Sequence, residues 1–281
     1  MDYKTLITVD ALASRLDNPE FVIFDCRHDL MQPEAGAQAY AQSHIPAARF
    51  AHSDRDLAGP KTGHNGRHPL PDPNVFTEWL GNQGVDSSKQ IVAYDHAGGA
   101  SATRLWWMLR FWLGHERTAV LDGGWEAWNA ASLPVTKELP TIRVSKFRAN
   151  PHPASVDAAF VLSHLNDSNM LVLDARSGER YRGEVEPIDP VAGHIPGAKN
   201  RFYKLNLDAQ GRFKAPAMLR EEFNVLLAGK PVERVVHQCG SGVSACHNIL
   251  AMEVAGLSGS RLYPGSWSEW CADPSRPIER G

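Results

Sequence analysis

The sequence predicts an α/β protein made of two tandem domains, each a parallel sheet flanked by helices. Short apolar strands alternate with helical stretches along the whole chain. Strands that are apolar on both faces and joined by helices build parallel sheets in α/β sandwiches. The second observation is an internal repeat: a set of landmarks occurs twice, in the same order and at a nearly constant offset. So long a period means duplicated domains rather than a solenoid. A length of 281 residues is what two domains of ordinary size require.

Taken in order, Thr8-Val9-Asp10-Ala11 matches Ser155-Val156-Asp157-Ala158, each read as a helix N-cap followed by an acidic residue in the first turn. The strand Val22-Ile23-Phe24-Asp25 matches Leu171-Val172-Leu173-Asp174, and each is followed two residues later by an arginine, Arg27 or Arg176. His44-Ile45-Pro46 matches His194-Ile195-Pro196. Helices are expected from Asp72-Pro73 to Leu80 and from Pro216 to Leu227, each ahead of a central strand. Those strands are Ile91-Val92-Ala93-Tyr94-Asp95 and Val235-Val236-His237-Gln238-Cys239. Gly123-Gly124-Trp125-Glu126-Ala127-Trp128 then matches Gly265-Ser266-Trp267-Ser268-Glu269-Trp270, with the tryptophans at helical spacing as core anchors. Residues 139–153, rich in proline and basic side chains, fit neither period and read as a linker. The predicted domains are therefore 1–138 and 154–281.

Composition excludes several classes. The formal net charge is −3 with no basic stripe, so nucleic acid is not an expected partner. The aromatic run from Leu105 to Leu113 contains Arg110 and is too short to span a bilayer. Met1 to Thr5 has no apolar signal-peptide core. The four cysteines, Cys26, Cys239, Cys246 and Cys271, form no C-x-x-C and no zinc spacing, so no metal is expected. A chain this long can build its core without disulfides, which points to a reducing, cytoplasmic compartment.

The chemistry concentrates where the second central strand ends. Cys239 opens the small, glycine-rich loop Gly240-Ser241-Gly242-Val243-Ser244, and a helix is expected from Ile249 to Ala255. A cysteine between a strand and a helix N-terminus faces backbone N–H groups that favour the reactive thiolate. The plainer alternative is a small buried residue ending a strand. Asp95 stands at the equivalent position of the first half, so one copy keeps the loop without the nucleophile. Cys246 is expected as a buried helix residue, two helical turns beyond Cys239. Asp25, Asp174, His44 and His194 recur in the copy without a nucleophile too, which marks them as structural hydrogen-bonding groups.

These motifs together resemble the two-domain rhodanese-type sulfurtransferases over essentially the whole chain. The resemblance rests on the strand-ending Asp25-Cys26-Arg27 and Asp174-Ala175-Arg176, on Arg104-Leu105-Trp106-Trp107-Met108, on Gly193-His194-Ile195-Pro196-Gly197-Ala198, and above all on Cys239-Gly240-Ser241-Gly242-Val243-Ser244-Ala245. That loop is very similar to the active loop of the 3-mercaptopyruvate branch, whereas thiosulfate-preferring members carry basic residues directly after the cysteine. The resemblance implies a persulfide on Cys239, a small-molecule sulfur donor, a thiol, thioredoxin-like protein or cyanide as acceptor, and no cofactor. It implies catalytic roles for Cys239, Ser241, His68 and Asp54. Substrate contacts are implied for Arg180, Arg182 and Arg67 and for the loop residues Gly240, Gly242, Val243 and Ser244. His52 and His64 lie in the same polar stretch as His68. The chain departs from the family at Ile188-Asp189, where a second substrate arginine is expected; Arg182 is the candidate stand-in.

Two other functions fit the loop less well. A cysteine phosphatase or arsenate reductase needs an arginine at the loop's end to grip an oxyanion, and Ala245 stands there. A non-catalytic binding module would not need the intact cysteine.

Overall fold

The computed structural model describes residues 2–281. It divides into two compact units. The first comprises residues 1–59, 70–152 and 210–212, and the second residues 60–69, 153–209 and 213–281.

The first unit contains strands β1 (Leu6–Ile7), β2 (Phe21–Asp25), β3 (Arg49–Phe50), β4 (Gln90–Tyr94) and β5 (Thr118–Leu121), and helices α1 (Val9–Ala13), α2 (Ala35–Gln42), α3 (Pro73–Asn82), α4 (Ala102–Trp107) and α5 (Gly124–Ala130). Its sheet has the order β1-β5-β4-β2-β3 and every pair is parallel. β4 is buried along its whole length, as a central strand covered on both faces must be.

The second unit contains β6 (Leu171–Asp174), β7 (Lys199–Asn200), β8 (Val235–Gln238) and β9 (Arg261–Leu262), with helices α6 (Ala158–Ser163), α7 (Gly178–Arg182), α8 (Pro216–Leu227), α9 (Ala245–Val254) and α10 (Ser266–Trp270). Its parallel sheet runs β7-β6-β8-β9, and the missing fifth strand survives as a single parallel bridge from Ser155 to Leu262. The two sheets are therefore one topology, with β6, β7, β8 and β9 in the places of β2, β3, β4 and β5.

That register corrects one match made from the sequence. Leu6 pairs with Val120 in the first unit, and Ser155 bridges Leu262 in the second. The structural equivalent of Thr8 is accordingly Asp157 and not Ser155. Both are the N-caps: Thr8 accepts from the Ala11 N–H, and Asp157 from the Phe160 N–H. The T-V-D-A and S-V-D-A strings look alike, but the sheet places them two residues out of step.

The repeated polar residues form the same bracket in each unit. The Arg27 guanidinium binds Asp25 and donates to the Ser43 carbonyl, and that of Arg176 binds Asp174 and donates to the Gly193 carbonyl. His44 donates through Nδ1 to the Tyr40 carbonyl, and His194 to that of Tyr181. Each arginine also lies over a tryptophan of its unit's last helix, Trp125 of α5 or Trp267 of α10. These buried pairs tie a strand end to the next connection, which fixes where the loops at the carboxyl edge of the sheet lie.

Residues 139–153, expected as a linker, have no regular secondary structure. Much of the segment bonds to the first unit: Ser145 donates to the Gly81 and Val85 carbonyls, the Asn150 N–H to Leu113, and Phe147 is buried. Among the described residues, no helix is long and apolar enough to cross a membrane.

Candidate active site

β8 delivers Cys239 to the carboxyl edge of the second sheet, where ligands of open α/β sheets bind. Helix α9 begins at Ala245, four residues before the expected Ile249. Cys246 therefore sits in its first turn and not two turns into a helix; it is buried, with its thiol bonded to the Gly242 carbonyl at 3.4 Å. None of the four cysteines is in a disulfide, and Cys239 is only 2% exposed.

The loop is held by the turn into α10. The Cys239 and Gly240 carbonyls accept from the Trp267 and Ser268 N–H groups at 3.0 and 2.9 Å. The Cys239 N–H donates to Ser266 Oγ at 3.1 Å, and that hydroxyl donates to the Tyr263 carbonyl at 2.9 Å. Ser266 holds a left-handed backbone, φ 53°, the conformation its counterpart Gly124 adopts at φ 54°. A side chain in that region is costly, and here the hydroxyl it carries anchors the Cys239 amide. Sequence reading passed over Ser266; the serine facing a glycine between the repeats was the available signal. Gly242 is required as glycine: at φ 74° an added Cβ would lie 2.3 Å from the Pro264 carbonyl oxygen.

The first unit shows what such a loop holds. Asp95 Oδ1 accepts from the Ala97 and Gly99 N–H groups at 2.8 and 2.9 Å, and Oδ2 from those of Ser101 and Ala102 at 2.7 and 2.8 Å. Four backbone donors thus close on one buried anion. The equivalent donors in the second unit are the N–H groups of Ser241, Val243, Ala245 and Cys246. The last donates to the Val243 carbonyl. The copy with an aspartate fills its cradle with its own carboxylate; in the other copy Cys239 stands at the place of Asp95 in the strand register.

Two cationic side chains stand against the loop. A Cβ on Gly240 would lie 2.8 Å from an Arg67 guanidinium nitrogen and 3.6 Å from two of Arg180. The absence of a side chain at Gly240 leaves room for both groups. Arg180 is bound by Glu186 at 2.7 and 3.2 Å and by Asp189 at 3.1 Å; Arg67 is bound by the other oxygen of Asp189. The two carboxylates are held differently. Burial opposes the charge of Glu186, yet Arg180 and the N–H groups of Asp189 and Ile188 keep its carboxyl below the ordinary value. Burial pushes Asp189 up, with Glu186 adding to it and the arginines only partly offsetting it. Burial likewise works against Arg176, but Asp174 and Glu186 outweigh it and raise its pKa. Glu186 was not singled out from the sequence, and Asp189 only as the place where an expected arginine is absent.

His68 belongs to this unit, although the chain there runs between β3 and α3. Its Nδ1 lies 2.7 Å from Ser241 Oγ, and both side chains are buried. The expected Cys239, Ser241, His68, Arg67 and Arg180 thus share one unit. Arg182 does not join them. It is 44% exposed and forms a surface pair with Glu184 at 2.7 Å; the second guanidinium near Gly240 is that of Arg67. Asp54 belongs to the first unit, where its N–H donates to His52 Nδ1 at 3.1 Å.

The model of the rhodanese-like domain matches residues 8–131 and again residues 157–273. The chain belongs to the rhodanese family. It is 46% identical over 284 aligned residues to a probable 3-mercaptopyruvate sulfurtransferase of Pseudomonas aeruginosa, covering all of both chains. It is 35% identical to a putative thiosulfate sulfurtransferase of Mycobacterium tuberculosis, covering 99% of this chain and 98% of the relative. The solved 3-mercaptopyruvate sulfurtransferase of Escherichia coli superposes with a TM-score of 0.81 at 31% identity, over 93% of this chain and 98% of that one. This chain is thus a two-domain rhodanese-type sulfurtransferase, with the fold and transferase class that its motifs imply.

Proposed function

We propose that this sulfurtransferase takes a sulfane sulfur from 3-mercaptopyruvate and passes it to a thiol or cyanide through a persulfide on Cys239. The Cys239 thiolate attacks the donor's sulfur. A sulfur–sulfur bond forms, the donor's carbon–sulfur bond breaks, and its electron pair goes to carbon. Protonation of that carbon gives pyruvate, and the proton is the one the donor's thiol gives up. We assign its transfer to the Ser241–His68 pair, and the 2.7 Å contact between His68 Nδ1 and Ser241 Oγ supports that reading. An acceptor thiolate then takes the outer sulfur and restores the Cys239 thiolate. The loop N–H groups stabilise thiolate and persulfide alike, as the Asp95 cradle illustrates for a carboxylate.

The observation that carries the choice of donor is the charge around Gly240. Arg67 and Arg180 face the loop, but Asp189 and Glu186 match their charges, and the loop itself has no basic side chain. A monocarboxylate can be gripped in bidentate fashion by a guanidinium. A dianion such as thiosulfate meets no surplus of positive charge. The four free cysteines support a reducing compartment, the cytoplasm. The test is the specificity constant for each donor, measured side by side. 3-Mercaptopyruvate should exceed thiosulfate by at least about tenfold, or about 1.4 kcal/mol. Equal or better use of thiosulfate would favour the thiosulfate:cyanide reading and defeat this one.

A further inference from the structure

Asp189 binds the two guanidinium groups nearest the Cys239 loop. One of its oxygens binds Arg67 and the other binds Arg180, and the same two guanidinium groups are the ones lying over Gly240 beside the nucleophile. The side chain is almost wholly buried, so this is an ordered clamp and not a surface pair of little consequence. Arg180 has a second, separate partner in Glu186, which also accepts the N–H groups of Ile188 and Asp189. Removing Asp189's charge therefore leaves Arg180 anchored, while freeing donor capacity on both arginines.

We propose that Asp189 is a specificity-determining internal anion, which competes with the donor's carboxylate for Arg67 and Arg180 and so sets the affinity for anionic sulfur donors. This rests on the sulfurtransferase reading of Cys239. The physical basis is that a ligand's apparent affinity falls by the fraction of sites already occupied in its absence. Each guanidinium offers five N–H donors; Asp189 takes Nη1 of Arg67, beside the Nη2 that faces Gly240, and Nη2 of Arg180, so a second carboxylate must displace it or share the two groups with it. Of the two acids, Asp189 is the weaker-held. Burial raises its pKa, while Glu186 sits below its ordinary value among backbone donors. The competition penalises a dianion most, because the retained negative charge repels two charges instead of one.

The variant Asp189→Asn keeps the shape and one acceptor oxygen but removes the charge. Steady-state kinetics of the full chain should show KM for 3-mercaptopyruvate falling by at least about fivefold with kcat changed less than KM, because only ground-state competition is relieved. KM for thiosulfate should fall further, narrowing the preference between donors. Asp189→Ala, which leaves no acceptor at all, should move both values the same way. An unchanged or raised KM in both variants would overturn the proposal and make Asp189 a strut that orders the arginines. Persulfide formation on wild-type Cys239, followed by mass spectrometry in parallel, separates the two levels. If neither donor loads the wild type, the sulfurtransferase reading fails. If loading is normal and KM does not fall in the variants, only the role of Asp189 fails.

Discussion

The first unit's loop offers a test of the anion cradle that does not touch the nucleophile. Asp95→Asn preserves size and keeps one carbonyl oxygen, which can still accept from two backbone N–H groups. The other oxygen becomes an amide nitrogen that faces two donors with donors of its own. Two charge-assisted hydrogen bonds, those from Ser101 and Ala102 or those from Ala97 and Gly99, are then lost. A hydrogen bond to a charged group contributes about 1.5–3 kcal/mol, so the expected loss is about 3–6 kcal/mol. Asp95 is buried, and water cannot readily replace the missing acceptors. For a unit of this size each kcal/mol moves the melting point by about 2–4 °C, which predicts a fall of at least about 6 °C. Scanning calorimetry of the full chain reads it as a lowered transition for the first unit. A shift under about 1 °C would refute the reasoning, because it would mean that these loops do not hold anions through their backbone donors, and the same argument for the Cys239 loop would lose its support.

Two further outcomes follow from the second unit. His68→Asn should lower the rate of sulfur transfer by about 10²-fold or more if the Ser241–His68 pair moves the proton, while alkylation of Cys239 by a neutral reagent changes far less; equal effects on both would remove His68 from the proton path. His237 lies in the central strand, wholly buried, with neither ring nitrogen bonded, and burial lowers its pKa from 6.5 to about 3. Below pH 6.5 the unfolded chain takes up a proton that the folded chain refuses, so stability falls as pH drops toward 3. At pH 5 this amounts to about 2 kcal/mol. His237→Leu should remove that increment, seen as a smaller loss of melting temperature between pH 7.5 and pH 5 than in the wild type; an identical pH dependence would show that the buried ring is not the cause.

The parts of this molecule that were legible in the sequence are those set by local pattern. Apolar runs such as Ile91 to Tyr94 and Val235 to Gln238 are the central strands, α8 spans the residues its proline start announced, and the strand-ending Asp-x-Arg pairs are the buried brackets their repetition implied. Cys239 stands out in the sequence because its twin position carries Asp95, which marks it as a candidate nucleophile. What escaped depends on contacts distant in sequence. The two-residue slip at Thr8 and Asp157 is decided by pairing with β5 and β9, not by the strings themselves. The hydroxyl of Ser266 reaches the Cys239 amide only because the chain turns through a left-handed residue. The exchange of Arg182 for Arg67 as a loop-facing cation depends on a segment from the first half folding with the second unit. No local periodicity encodes the Asp189 clamp, which joins residues 122 positions apart.

The measurement that bears most directly on the account is the mass of the protein after brief treatment with 3-mercaptopyruvate, followed by peptide mapping. The account predicts the addition of one sulfur atom, located on Cys239, lost on exposure to cyanide and absent in Cys239→Ser. A sulfur adduct mapped instead to Cys26, Cys246 or Cys271, or an adduct that persists in Cys239→Ser, would contradict it.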